Sequence, residues 1–381
     1  MAPPSPAVEE PVISEQPVRL GFLMDQIAGH ITNYRNLRGV AEHDASIRAD
    51  WREVQYRYGT GGVERVRQRL PFVAEYATGV ARGTLDLHRG LRHHKYEAVF
   101  TNASVAPLQR RALARAPWMY DFDSTPIQRD QMETYTRHTD AKPVARLKWW
   151  LMRDVFHSAT RLQAWSHWAK QSVVDDYGVP EDKIIVNPPG VDLARWRPRP
   201  DARETRRPAQ VLFVGGDFRR KGGAVLLDWF RTQNPDEVEL QIVTREDVEN
   251  RRGVHVHRDM QPNSEQLRAL YHQCDLFVLP SLGECFGIAT VEAMATGLPV
   301  VVTNVGGTAD IVEPGRNGYL VPPNSVGELS QAIGAILGDD VLRSAMSLQA
   351  RQIAEVRFDL ETNAKRTIDE LKRMALERRG R

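Results

Sequence analysis

Short apolar runs alternate with longer stretches of helical period along most of this chain. A run that stops after a few residues at polar or glycine positions reads as a buried strand. Apolar residues recurring every three or four positions read as a helix with one core-facing side. The first run is 18–24 (VRLGFLM), followed by a loop with Gly29 and a helical stretch at 31–42 (ITNYRNLRGVAE). The pattern returns at 96–102 (YEAVFTN), 116–124 (APWMYDFDS) and 159–166 (ATRLQAWS). A helix, HWAKQSVVDDYG, and a further strand within 183–192 (KIIVNPPGVD) close this half. Residues 193–210 are rich in proline and arginine and have no period, which marks a linker. Strands are then expected within 210–216, 238–244, 253–258, 274–281, 298–304 and 317–323. Helices lie between them, notably SEQLRALYHQ and GIATVEAMATG, and helical stretches at 328–358 and 360–379 follow.

Strands alternating with helices predict parallel sheets that bind ligands beyond their carboxyl edges. The expected fold is α/β, with two Rossmann-like domains facing each other across a cleft. The boundaries are a tail at 1–17, a first domain at 18–195, a linker at 196–209 and a second domain at 210–358. A helix at 359–381 is expected to pack back on the first domain.

A chain of 381 residues exceeds one ordinary core, in keeping with two domains. A formal net charge of +2 gives no electrostatic case for a nucleic-acid partner. Cys274 and Cys285 are the sole cysteines and have no metal-type spacing, which points to a reducing, cytoplasmic setting without a disulfide framework or zinc site. No run reaches the roughly 18–20 apolar residues of a spanning helix. The opening MAPPSPAVEEPVISEQP has no apolar stretch and reads as a disordered tail rather than a secretory signal.

Candidate chemistry gathers in a few segments. In GECFGIATVE (283–292) a strand crosses through Gly287 to a helix beginning at Ile288. Backbone N–H groups at a helix start are unpaired and carry the positive dipole end, which suits phosphate or sugar oxygens. Glu284 and Glu292 flank this turn and are acceptors for hydroxyls. Alternatively, Glu284 is solvated and Glu292 makes an interhelical contact. VGGDFRRKGG (214–223) sets Arg219, Arg220 and Lys221 between glycine pairs, as a diphosphate site or as an ordinary basic loop. In MYDFDSTPIQRDQ (119–131), Asp123 ends a strand at the cleft edge. It presents a carboxylate to the cleft, or caps the next segment with Ser124. ARLKWWLMRDVFH (145–157) mixes cations with aromatics, as a core helix with a charged face or as a helix in peripheral contact with an anionic membrane.

Residues 277–323 (FVLPSLGECFGIATVEAMATGLPVVVTNVGGTADIVEPGRNGYLVPP) resemble the donor-binding half of the retaining GT-B glycosyltransferases of family 4. The shared features are two glutamates separated by seven residues, an acidic-small-Phe-Gly turn and the Glu-Ala-Met-Ala-x-Gly-x-Pro-Val-Val run. Fainter agreement covers most of 18–358. The resemblance implies that Glu284 binds hydroxyls of the donor sugar and Glu292 the ribose. It gives the backbone of Cys285, Phe286, Gly287 and Ile288 to sugar and phosphate, and Lys221 with an arginine to the diphosphate. Many members have Gly-Arg where this chain has Gly216 and Asp217, so Arg219 or, by preference, Arg220 takes the arginine's part. Gly29 corresponds to the glycine that lets the first loop approach the donor phosphate. Many relatives carry a histidine at about Asp123, and this chain does not; the resemblance leaves Asp123 there to orient an acceptor hydroxyl or to balance positive charge on the sugar ring.

The implied activity is transfer of a sugar from a nucleotide diphosphate to a hydroxyl acceptor, with retention. Cations and helix N-termini would stabilise the leaving diphosphate without metal or cofactor. The D-x-D of DFD (121–123) lies in the acceptor half and is not read as a metal site. Alternatives are a GT-B epimerase or phosphorylase, or a non-catalytic nucleotide-sugar-binding protein. Acceptor contacts are expected from loops at 25–35, 56–70 and 121–140.

Overall fold

The computed structural model describes residues 16–27, 29–56, 75–92, 95–132, 141–198 and 208–380. The opening tail up to residue 15, most of the basic loop at 56–70, the 133–140 part of the third acceptor loop and most of the linker lie outside the described residues.

Among the described residues two six-stranded sheets form, both wholly parallel. The first contains β1 (Val18–Asp25), β2 (Ile47–Val54), β3 (Ala98–Thr101), β4 (Trp118–Phe122), β5 (Arg161–Ala164) and β6 (Ile184–Val186), in the order β2-β1-β3-β4-β5-β6. The second contains β7 (Ala209–Val214), β8 (Val238–Val243), β9 (Val254–His257), β10 (Leu276–Leu279), β11 (Val300–Thr303) and β12 (Gly318–Val321), in the order β12-β11-β10-β7-β8-β9. Strand order reverses between β1 and β3 in one sheet and between β7 and β10 in the other. Such switch points open a crevice at the carboxyl edge, because the connections on either side leave in opposite directions.

Interior strands β3, β4, β10 and β11 are buried at every position, which accounts for their continuous apolar sequences. Strand β2 was not anticipated. Its sequence IRADWREV buries only Ile47 and Val54, yet all eight residues register with β1. As an edge strand it needs one partner and tolerates outward charges, so its apolar signal is weak.

Between the strands run α1 (Gly29–Ala41), α2 (Glu75–Arg92), α3 (Ala106–Leu113), α4 (Pro126–Gln131), α5 (Lys142–Ser158) and α6 (His167–Asp175). The second half adds α7 (Gly223–Phe230), α8 (Glu265–Gln273), α9 (Ile288–Ala295), α10 (Val326–Leu337), α11 (Asp340–Arg357) and α12 (Leu360–Arg379). Asp359 caps α12 by accepting from the Thr362 N–H. That helix buries Ile368, Leu371 and Met374 against Leu20, Phe22 and Phe100 of the first sheet. Trp165, from the first half of the chain, and Trp196, at the start of the linker, join the core of the second sheet. Among the described residues, no helix is long and apolar enough to cross a membrane.

Candidate active site between the two sheets

The second sheet's switch point brings the loop after β7 against the loop after β10. Gly222 makes this approach feasible. Its φ is +75°, and a Cβ there would lie 1.8 Å from the Pro280 carbonyl oxygen, so only glycine fits. Arg220 ties the loops together: its guanidinium donates to the Gly283 carbonyl at 2.9 Å and to Asp217 at 3.2 Å. Lys221 pairs with Glu284, both side chains being largely buried. An ion pair removed from water holds only while both partners remain, so the two side chains fix each other. Arg219 and Gly216 are exposed at the loop surface, and a Cβ on Gly216 would meet nothing.

From Glu284 the chain turns into α9 through Gly287, whose φ is +107°. Gly306, at φ +59°, supports this turn from the loop after β11; a Cβ there would lie 1.7 Å from the Glu284 carbonyl oxygen. Gly307 donates its N–H to the Cys285 carbonyl at 3.1 Å. Cys285 and Phe286 are buried, and the Phe286 ring meets Trp165 edge-on with centroids 5.8 Å apart. The N–H groups of Phe286, Gly287, Ile288 and Ala289 have no acceptor among the described residues. Four consecutive donors at a helix start form a cradle for phosphate or sugar oxygens.

Glu292 lies one turn into α9, only 6% exposed. Tyr271 of α8 donates to its carboxylate at 3.2 Å. Burial pushes the Glu292 carboxyl up to about 8, against the smaller opposing effect of the Tyr271 hydrogen bond. Glu292 thus does meet a neighbouring helix, and Glu284 is buried rather than solvated.

Across the cleft, the first sheet's switch point gathers three aspartates around His30. Asp25 ends β1, where Tyr56 donates to it at 2.7 Å and the Ser104 hydroxyl at 2.9 Å. Burial raises its pKa despite these bonds and the His30 charge. Asp121 accepts from Gln163 and from the Trp165 indole, each at 2.9 Å. Burial dominates there too and lifts Asp121 to about 7. Asp123 behaves differently. Burial works to raise it, but the hydrogen bond and charge of His30, with Arg129 and Ser124, outweigh that effect and leave it below its ordinary value.

His30 Nε2 lies 3.6 Å from Asp123 Oδ2, and the side chains are 18% and 24% exposed. Burial would lower the His30 pKa, yet Asp123, Asp25 and Asp121 together raise it. The capping alternative for Asp123 does not hold. Thr125 caps α4 in a capping box with Gln128, while Ser124 donates to Asp123 at 2.8 Å.

Residues far apart in sequence meet here. A Cβ on Gly29 would touch Ile288 at 3.2 Å, and His30 packs on Trp165, with ring centroids 5.1 Å apart. Trp165 in turn meets Phe286. His167 and Asp310 bridge the halves at 3.1 Å. The sequence reading missed His30, Tyr271 and the Gly306–Gly307 pair, while Gly222 lies in the second glycine pair of the basic loop. A signal for His30 was present, since it directly follows Gly29 in the loop at a strand's carboxyl end.

Two doubly wound parallel sheets with a ligand-ready crevice between their carboxyl edges define the GT-B class. Two family models match in tandem: Glycosyltransferase Family 4 over residues 35–195 and Glycosyl transferases group 1 over residues 208–339. The chain belongs to the family 4 glycosyltransferases. It is 26% identical over 310 residues to a D-inositol 3-phosphate glycosyltransferase of Arthrobacter sp. (strain FB24), covering 76% of this chain and 68% of the relative. It is 33% identical over 202 residues to a glycogen synthase of Mycobacterium tuberculosis, about half of each chain (50% and 48%). Among solved structures, sucrose-phosphate synthase from Thermosynechococcus elongatus superposes with a TM-score of 0.72 at 18% identity, covering 94% of this chain and 99% of that one. Anabaena HepE in complex with UDP-glucose gives 0.64 at 19% identity, covering 92% and 99%.

Proposed function

We propose that this glycosyltransferase moves a sugar from a nucleotide diphosphate to a hydroxyl acceptor with retention at the anomeric carbon, and that it needs no metal. The observation that carries this reading is the cradle of four uncommitted N–H groups at 286–289 beside the buried Lys221–Glu284 pair. Breaking the sugar–phosphate bond builds negative charge on the diphosphate and positive charge on the ring. Lys221 and the first turn of α9 stabilise the former, and preorganised charge of this kind supplies most of the rate acceleration in many enzymes. Glu284 accepts hydrogen bonds from donor-sugar hydroxyls, and Glu292 from the ribose. Gly29, held close to Ile288, lets α1 approach the donor without a side chain between.

Peripheral membrane contact belongs to the same reading. Helix α5 exposes Leu147 and Trp150, three positions apart, at 57% and 58%. The exposed Arg146 and Arg153 beside them suit an anionic surface.

The test is a thermal-shift and hydrolysis screen against a panel of nucleotide sugars in EDTA, with wild type and Glu292→Ala. One donor is expected to stabilise the wild type and to lose most of that effect in the variant. The absence of any shift would remove the donor reading.

A further inference from the structure

We propose that His30, held by Asp123, is a catalytic residue: its imidazole accepts a hydrogen bond and then the proton, at Nδ1, from the acceptor hydroxyl as that oxygen bonds to the anomeric carbon and the bond from that carbon to the leaving diphosphate breaks. This rests on the glycosyltransferase reading above and adds to it the group that receives the attacking oxygen.

Position comes first. His30 lies in the first turn of α1, at the carboxyl edge of β1 and beside its switch point. Its ring packs on Trp165, which meets Phe286 at the start of the N–H cradle. The Trp165 ring thus links the histidine to Phe286 across the two sheets.

Commitments come second. Asp25 is occupied by Tyr56 and Ser104, and Asp121 by Gln163 and Trp165. Among the described residues, Asp123 alone pairs with the ring, through Nε2. Nδ1 is buried and has no partner among the described residues. A buried nitrogen without a partner is unfavourable, and such atoms are tolerated where a ligand supplies the missing bond. The 3.6 Å separation from Asp123 fits a pair that tightens when substrate arrives.

The rival is a purely structural ion pair in the floor of the cleft. A structural pair would be sealed from solvent, with both ring nitrogens satisfied. Here both partners keep an exposed edge and one nitrogen is uncommitted. Asp123 then positions the ring as the third member of a nucleophile–base–orienter series does.

The experiment compares wild type, His30→Ala, His30→Gln and Asp123→Asn by hydrolysis of UDP-glucose and other nucleotide sugars, with water as the attacking hydroxyl. Donor binding is measured in parallel by calorimetry. His30→Ala is expected to lower kcat about 100-fold while donor affinity stays within about threefold, the division that marks a group acting on the attacking oxygen. His30→Gln, which keeps an acceptor atom, is expected to recover about tenfold of that loss, the size of one hydrogen bond.

The neutral imidazole is the accepting form, so kcat rises as pH rises through the His30 pKa. The charged groups facing His30 are Asp25 from β1, Asp121 from β4 and Asp123 just after β4, with the charge of Arg129 of α4 acting on Asp123. Asp123→Asn removes the anion that most raises His30, so the acid limb of the profile should move to lower pH. A purely structural residue would not move it.

Unchanged kcat in both His30 variants, or loss of donor affinity as large as the loss of kcat, would overturn the proposal. Should His30→Ala fail to fold, the kcat of His30→Gln and the pH limb of Asp123→Asn decide. If the wild type neither binds nor cleaves any donor, the glycosyltransferase reading itself falls, an outcome distinct from failure of the histidine alone.

Discussion

Replacing Glu292 with glutamine sets stability against binding, and both effects follow from one buried carboxyl. Its pKa is near 8 in the folded chain against an ordinary 4.5. Between those values the unfolded chain has released the proton and the folded chain keeps it. Unfolding therefore releases a proton, and stability falls as pH rises, by about 1.4 kcal/mol per pH unit. The loss is small at pH 5 and complete above pH 8, where it amounts to roughly 5 kcal/mol. Glutamine cannot ionise, so the stability of the variant relative to wild type should improve by about 4 kcal/mol between pH 5 and pH 8.5. For a unit of 150–250 residues this is a relative rise in Tm of about 10 °C. An extra buried amide N–H offsets part of the gain at every pH, by about 1–3 kcal/mol, without changing the slope. The assay is thermal unfolding of both proteins across that pH range. Donor affinity should fall about tenfold in the variant at pH 8, because a hydroxyl acceptor has been weakened. Parallel Tm–pH curves for the two proteins would refute the reasoning.

The loop crossings give a sharp contrast. Gly222→Ala forces a Cβ onto the Pro280 carbonyl and should cost at least about 3 kcal/mol, whereas Gly216→Ala opens onto free space and should shift Tm by no more than about 2 °C. Lys221→Ala leaves Glu284 buried without its cation and should destabilise by about 3 kcal/mol; adding Glu284→Gln should restore much of that, as read in a double-mutant unfolding cycle. Wild type should co-sediment with vesicles containing phosphatidylglycerol, and Leu147→Glu with Trp150→Glu should abolish it. Absence of co-sedimentation by the wild type would contradict the α5 surface.

The alternation of apolar runs and helical segments carried the fold because interior parallel strands are buried on both faces and declare themselves by continuous hydrophobicity. Strand β2 escaped for the converse reason: Arg48, Arg52 and Glu53 are exposed on an edge strand. On the donor side the candidate residues lie in two local segments, and the structure brings Lys221 to Glu284 across 63 positions at a switch point. The positive-φ glycines explain why those segments can meet, and no local pattern distinguishes Gly222 or Gly306 from an ordinary turn glycine. In the first sheet, His30 opens the helix that follows β1 and Asp123 directly follows β4. Neither flanking sequence names the other. Sheet order, set by packing over the whole domain, is what joins them.

The most direct measurement is time-resolved proton NMR of the sugar released from an α-linked nucleotide sugar by wild type in EDTA. The expected result is metal-free cleavage in which the first-formed sugar has the α configuration, before mutarotation mixes the anomers. A β anomer appearing first, or no cleavage of any donor until a divalent cation is added, would contradict a retaining, cation-assisted site built on Lys221 and the α9 cradle.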